Sequence, residues 1–268
     1  MTIVAPCRII GITMLAFSLQ SGSNGNCIYV ETGGMRLLFD AGIHGLQAEK
    51  RLAARGRSIR DVDAVIISHD HGDHVRYAGV YQRKYGLPLY ATGRTMETAA
   101  KRHPIGKLHD LRIFSSGGTI DFGTLKVHAL PTPHDGADGS AFVVASGNKR
   151  LGIMTDLGHV FDGLAEVIST LDAVFIESNY DPDMLAKGPY PAFLKNRIRG
   201  PEGHISNAEA AELLKTASCG SLKWACLAHL SEQNNKASLA IETHRRVLHA
   251  RLPLYIASRY ASSDILRV

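Results

Sequence analysis

Three histidines and an aspartate, His69, His71, Asp73 and His74, fall within six consecutive residues, directly after the apolar run Ala64-Val65-Ile66-Ile67. Brought together without a cation, these groups would suffer desolvation and mutual repulsion with nothing to offset either. The HxHxDH spacing therefore reads as a metal site. A strand ending at Ile67 would hand over to a tight turn, and ligands at alternate positions of that turn would face two neighbouring ions. Asp70 falls on the other side of the turn and is expected to face solvent or cap the loop.

Two ions need more ligands than one turn supplies. His134 follows an apolar stretch at 126–130 through Pro131-Thr132-Pro133, which stiffens its loop. Asp156 follows residues 151–155, and His229 ends Trp224-Ala225-Cys226-Leu227-Ala228. Each stands just past an expected strand, where rigid backbone can fix ligand geometry. The expected arrangement gives His69, His71 and His134 to one divalent ion and Asp73, His74 and His229 to the other, with Asp156 bridging. Paired cations share a water whose pKa falls toward neutrality, so a bridging hydroxide would be the nucleophile, with Asp73 orienting it. Nitrogen and oxygen ligands without a thiolate suit zinc, and the carboxylates also suit manganese. Asp40, before Ala41-Gly42, is a candidate to brace a metal-bound imidazole or the His69 loop from behind, with a turn cap as the alternative.

The elements that must hold these positions can be read from pattern. Residues 14–19, 27–31 and 35–39 read as an opening β-meander, with turn formers at 21–26 and a hairpin signal at Gly33-Gly34. The glycine-rich first turn has no helix after it, so it reads as a hairpin connection and not as a phosphate cradle. Residues 44–55 read as a helix with Leu46 and Leu52 toward the core. The strand at 64–67 is followed by helices at 75–85 and 95–102 around a short strand at 88–91. Strands follow at 112–114, 125–130, 141–145 and 151–154, then a helix at 160–170 and a strand at 173–177. Prolines and glycines punctuate 179–203, leaving room for short helices. A helix at 207–217, a strand at 222–228, a helix at 236–250 and a last strand at 254–257 complete the chain. Two halves, each β-rich and then helical, predict a sandwich of two sheets with helices outside.

Composition narrows the class. At 268 residues and 45% apolar content the chain can bury a large core, which excludes disorder. A net charge of +5 leans toward an anionic partner and permits nucleic acid without demanding it. Arg51, Arg55, Arg57 and Arg60 read as a solvated basic face. Cys7, Cys27, Cys219 and Cys226 contain no CxxC pair, which argues against a disulfide framework or zinc ribbon and for a reducing cytoplasm. From Arg8 to Leu19 the chain has the basic-then-apolar order of a secretory signal, yet cleavage near 18–23 would cut the first strand. Residues 1–13 are therefore expected to be an N-terminal extension, with Met14 a candidate start. No segment reaches the roughly 18 to 20 apolar residues that span a bilayer, so no membrane partner is expected.

A second signal lies at Gly203-His204-Ile205-Ser206-Asn207-Ala208-Glu209. Ser206 and Glu209 form a capping box, so a helix should begin there with N–H groups and a positive dipole end suited to phosphate. Ser206 and Asn207 are thus candidate substrate contacts. His204 is a candidate to hold a scissile phosphate oxygen or protonate a leaving group. Arg197 and Arg199 close by favour an anion.

In order along the chain, Asp40, the 69–74 cluster, His134, Asp156 and His229 resemble the five motifs of the metallo-β-lactamase fold superfamily. More narrowly, residues 21–27, 177–181, 188–191, 203–207 and 229–232 resemble its YycJ/WalJ-like branch. The resemblance implies an α/β fold, a four-layer αββα sandwich of two mixed β-sheets with outer helices, over residues 14–268. It also implies a 5′ to 3′ DNA exonuclease, with DNA preferred to RNA as the partner. His204 resembles the phosphate-contacting histidine of related RNA-processing nucleases, but the chain from Asp156 to His204 is too short for their inserted β-CASP domain. Diiron redox relatives usually carry Glu where His71 stands, which argues against a redox protein. A small-molecule hydrolase of the same fold, acting on a cyclic phosphodiester, thioester or lactone, is the alternative.

Overall fold

The computed structural model describes residues 13–217, 222–249 and 252–268. Cys7, Cys219 and the expected N-terminal extension up to residue 12 lie outside the described residues. The first sheet contains β1 (Leu15–Gln20), β2 (Cys27–Thr32), β3 (Met35–Phe39), β4 (Ala64–Ile66), β5 (Leu89–Ala91) and β6 (Leu111–Ile113). The second contains β7 (Thr119–Asp121), β8 (Lys126–Pro131), β9 (Ser140–Ser146), β10 (Lys149–Met154), β11 (Ala173–Glu177), β12 (Trp224–Ala228) and β13 (Leu254–Ile256). A last strand, β14 (Leu266–Arg267), returns to the first sheet, so the orders are β14-β1-β2-β3-β4-β5-β6 and β13-β12-β11-β10-β9-β8-β7.

Alternation along the strands builds the layers. Ala16, Val30, Leu37, Phe39 and Ile66 point from the first sheet into one buried cluster with Val127, Phe142, Ile153, Phe175 and Cys226 of the second. Their neighbours Phe17, Tyr29, Leu38 and Val65 point the other way, onto helices α1 (Gly45–Ala53), α3 (Ala78–Tyr85) and α4 (Gly93–Arg102), with the short α2 (Gly72–Val75) between them in the chain. On the far face, Val143, Val174, Ile176 and Leu227 meet α5 (Leu164–Ser169), α8 (Asn207–Ala217) and α9 (Ala237–Leu248). Helices α6 (Pro182–Lys187) and α7 (Ala192–Ile198) occupy the excursion between β11 and α8. A period of two on doubly covered strands thus gives the expected αββα sandwich. Among the described residues no helix is long and apolar enough to cross a membrane.

Both sheets are mixed. The meander β1-β2-β3 is antiparallel, and Gly33 (φ 59°) and Gly34 (φ 80°) make its two-residue turn with the left-handed backbone that such a turn requires. From β3 to β6 and from β10 to β13 neighbouring strands are parallel. Parallel register aligns strand ends: Phe39 pairs Ile66, Met154 pairs Ile176 and Glu177 pairs Ala228. The residues that follow these pairs emerge together at the carboxyl edges, where open α/β sheets carry their ligands.

Several local expectations differ from the structure. Leu46 is 49% exposed, because α1 turns Ala48 and Leu52 inward at a four-residue spacing and leaves Leu46 opposite. The helix expected over 75–85 is broken at Arg76 and Tyr77, where the Tyr77 N–H donates to the Ala41 carbonyl (2.9 Å) and ties the turn to the exit of β3. Strands β7 and β14 have no counterpart among the expected elements: both lie at sheet edges, where each buries a single side chain, Ile120 and Leu266. The basic face is not simply solvated: Arg51 donates to the Leu19 carbonyl (2.9 Å), Arg55 pairs with Asp264 (3.2 Å) and Arg57 with Glu31 (2.6 Å). These arginines tie α1 and the loop after it to the ends of the first sheet.

The loop after β3 threads between the first turn and α2. Ala41 N–H donates to His74 O (2.7 Å), Gly42 N–H to Asn26 O (3.0 Å) and Asn26 N–H to Asp73 O (2.7 Å). A Cβ at Gly42 would lie 1.6 Å from the Asp73 carbonyl oxygen, so only glycine fits. Gly42→Ala should therefore overpack this seam by about 1–3 kcal/mol and lower the melting temperature by several degrees. Gly93→Ala, with nothing within 4 Å of the added carbon, should leave it unchanged in the same thermal melt.

Candidate metal centre

Three side chains of the cluster leave strand ends through strained backbone. Asp40 (φ 68°), Asp156 (φ 56°) and His229 (φ 55°) are left-handed non-glycine residues, immediately after or two residues beyond β3, β10 and β12. Such conformations cost energy and persist where the surroundings hold them. His69 and His71 come from the turn after β4, Asp73 and His74 from α2, and His134 from the proline-stiffened loop after β8.

The structure brings all seven expected ligands together. His69, His71 and His134 form one group whose ligand atoms lie within 4.8 Å of one another, and Asp73, His74 and His229 form a second. Asp156 stands between them: its Oδ2 is 3.2 Å from His74 Nε2, and its Oδ1 is 3.6 Å from His229 Nε2 and 3.8 Å from His134 Nε2. A third group, His69, His74 and Asp156, overlaps both, so the seven side chains form one continuous cluster around Asp156. Asp156, Glu177, His204 and His229 make a further group of the same kind.

The electrostatics fit a cation. Buried His69 Nε2 and Asp156 Oδ2 have no hydrogen-bond partner, an arrangement that is costly unless something fills the gap. Burial opposes charge on His74, yet the carboxylates of Asp156, Asp40 and Asp73 outweigh it and push its pKa up to about 10. Burial raises the Asp73 carboxyl, and the imidazoles of His74 and His229 more than reverse this, to about 2. Asp156 is likewise held well below the carboxylate range: burial pushes it up, and His229, His74, His69 and His134 pull it down more strongly. His69 is held well below its usual value by burial and then by the charge of His74. Ionised carboxylates converge here on imidazole nitrogens that a divalent cation would take from the proton.

A surrounding ring fixes these groups. Asp40 accepts from His74 Nδ1 (2.7 Å) and from the Ser68 backbone N–H (2.8 Å), so it braces both an imidazole and the His69 loop. His134 Nδ1 donates to the Gly203 carbonyl (2.8 Å), which turns Nε2 inward. Asn26 reaches His74 Nε2 (3.0 Å), and Asn179 lies 3.1 Å from His229 Nδ1. Asp70 is fully buried, contrary to the expected solvent position. It accepts from the Ala137 N–H and from Arg102 Nη1, each at 2.6 Å, so its role is to cap the loop from inside.

His204 faces the same cavity of about 370 Å³, which is also lined by His71, Asp73, His134, Arg102 and Arg197. Its Nδ1 is 2.5 Å from Glu177 Oε1, and against the opposing effect of burial that carboxylate raises its pKa. Glu177 has no role in the expected site, although it ends β11 at a strand end like those that carry the candidate ligands. Asp135 was also missed; it accepts from Arg197 Nε and Nη2 (both 2.7 Å) and lies 3.4 Å from His71 and His134. Ser206 and Asn207 differ from expectation. The capping box forms, but Ser206 is spent on Glu209, and Asn207 is buried between Ser178 and Asn235. The Asn207 and Ala210 N–H groups donate to Tyr180 and Ser206 carbonyls, so this helix start is satisfied internally.

A family model described as a Beta-lactamase superfamily domain matches residues 35–229. Exodeoxyribonuclease YycJ of Bacillus anthracis is 37% identical over 232 residues, covering 86% of this chain and 87% of that protein. Exodeoxyribonuclease WalJ of Streptococcus pneumoniae is 36% identical over 224 residues, 83% of each. Among solved structures, the metallo-beta-lactamase fold protein YhfI from Bacillus subtilis superposes with a TM-score of 0.74 at 19% identity, over 96% of this chain and all of that one, which speaks to the fold. With strand-end ligands, two mixed sheets and these relatives in agreement, the chain belongs to the metallo-β-lactamase-fold hydrolases, in the YycJ/WalJ branch.

Proposed function

We propose that the protein is a dinuclear metal-dependent phosphodiesterase that degrades nucleic acid, DNA in preference to RNA, as a 5′ to 3′ exonuclease. The observation that carries this reading is the pair of three-residue groups meeting at Asp156 in one cavity that also presents His204, Arg102 and Arg197. Metal ligands beside a raised imidazole and two guanidinium groups suit a phosphodiester better than an uncharged ester. The names of the YycJ and WalJ relatives support DNA as the substrate and an exonucleolytic mode.

His69, His71 and His134 would hold one cation, Asp73, His74 and His229 the other, and Asp156 both; zinc and manganese each suit these ligands. When bound, such a pair supplies positive charge and acidified water at neutral pH. The chain's own residues do the rest. Asp40, Ser68 and Gly203 keep the imidazoles in position. Glu177 fixes His204 through Nδ1 and favours its protonated form, so its other ring nitrogen can hold a phosphate oxygen or deliver a proton to the departing alcohol. Arg197, clamped by Asp135, holds positive charge at the wall of the cavity.

Protein reloaded with zinc or manganese and offered 5′-labelled DNA, RNA, a bis-aryl phosphodiester and a thioester should degrade the DNA from its 5′ end. Turnover of the thioester alone would reject the proposal. His204→Ala should lower phosphodiester turnover about 10²- to 10⁴-fold with metal content unchanged by elemental analysis; lost metal would instead make His204 a ligand. Glu177→Gln keeps an acceptor for the Leu157 N–H (2.9 Å) but removes the charge beside His204. It should lower kcat with metal retained, and unchanged kcat would dismiss the Glu177–His204 pair from the reaction.

A further inference from the structure

Helix α7 reaches from a small apolar cluster to the wall of the metal cavity. Leu194 and Ile198 pack with Tyr180, Leu185 and Tyr190. Phe193, Asn196 and Arg197 are all exposed. Arg197 lines the cavity and is held by Asp135. Phe193 precedes it by four residues, one turn away on the same face, at about 5–6 Å between Cβ atoms. At 74% it is the most exposed large apolar side chain among the described residues. Among the described residues, the apolar cluster under the helix does not include its ring.

We infer that Phe193 is a stacking platform for a base of the single-stranded end of the substrate, with Arg197, oriented by Asp135 through Nε and Nη2, turning Nη1 to an adjoining phosphate. The inference rests on the nucleolytic reading above and adds to it how the strand is gripped. A bare aromatic ring beside a guanidinium matches the alternation of base and phosphate along a single strand. Stacking of this kind tolerates any sequence, as an exonuclease requires, because every base has a π-face. The guanidinium contributes the salt-dependent part of the grip. Phe193 is not among the residues that line the cavity, so the inference expects a small phosphodiester without a base to be held there independently of it.

The test compares Phe193→Ala and Phe193→Trp with the wild-type metal-loaded enzyme. Because the ring is so exposed, neither change should alter the melting temperature. Phe193→Ala should raise KM for a single-stranded oligonucleotide by about 5- to 100-fold, and Phe193→Trp should restore it. Turnover of the bis-aryl phosphodiester should be unchanged in both. On an oligonucleotide whose terminal nucleotides are abasic, wild type and Phe193→Ala should have the same KM. An oligonucleotide KM within twofold of wild type, or an equal loss on the abasic strand, would overturn the inference. Wild-type enzyme that cleaves the bis-aryl ester but no nucleic acid would overturn the nuclease reading and this inference with it. Wild-type cleavage of DNA with an indifferent Phe193 would overturn the inference alone.

Discussion

One buried carboxylate sets the terms for the whole molecule. Asp156 is almost sealed from solvent, one of its oxygens lacks a hydrogen-bond donor, and imidazoles of His74, His134, His204 and His229 stand within 4 Å of it. An uncompensated buried charge of this kind is strongly destabilising. The nearest imidazole is His74, 3.2 Å away, whose pKa the neighbouring carboxylates push up against the effect of burial. Divalent cations would turn the same geometry into a coordination site, so the groups that oppose one another in the protein alone are those able to hold metal.

The sandwich exists to deliver side chains to that point from both sheets. The first sheet contributes Asp40 and the turn carrying His69 to His74; the second contributes His134, Asp156, Glu177 and His229. Hydrophobic packing between the sheets fixes their separation, because interiors packed like crystals transmit small shifts. Left-handed backbone at Asp40, Asp156 and His229 then sets where each side chain leaves its strand. The strain is concentrated at the site, while the strands behind it follow ordinary two-residue alternation.

How much of this is legible in the chain depends on locality. The seven candidate ligands are readable because four fall within six residues and the other three each follow an apolar run, and strand ends are where chemistry gathers. Glu177 occupies the same address but points to a histidine 27 residues on, a pairing with no local signal. Asn26 and Asn179 look like turn formers, and only the fold shows them reaching imidazoles across 48 and 50 residues. The capping box at Ser206 is legible as a helix start, yet its availability to a phosphate is not, since Glu209 and the distant Tyr180 carbonyl occupy its groups while Ser178 and Asn235 bury the Asn207 side chain. Leu46 fails for a simpler reason: a nine-residue helix with few apolar positions leaves its inward face open to misreading.

Anomalous scattering from crystals grown with zinc or manganese addresses the central claim most directly. The account predicts two peaks roughly 3.5 to 4 Å apart, one against His69, His71 and His134 and the other against Asp73, His74 and His229, with Asp156 between. A single peak, or one seated between Glu177 and His204 with the two triads empty, would contradict it.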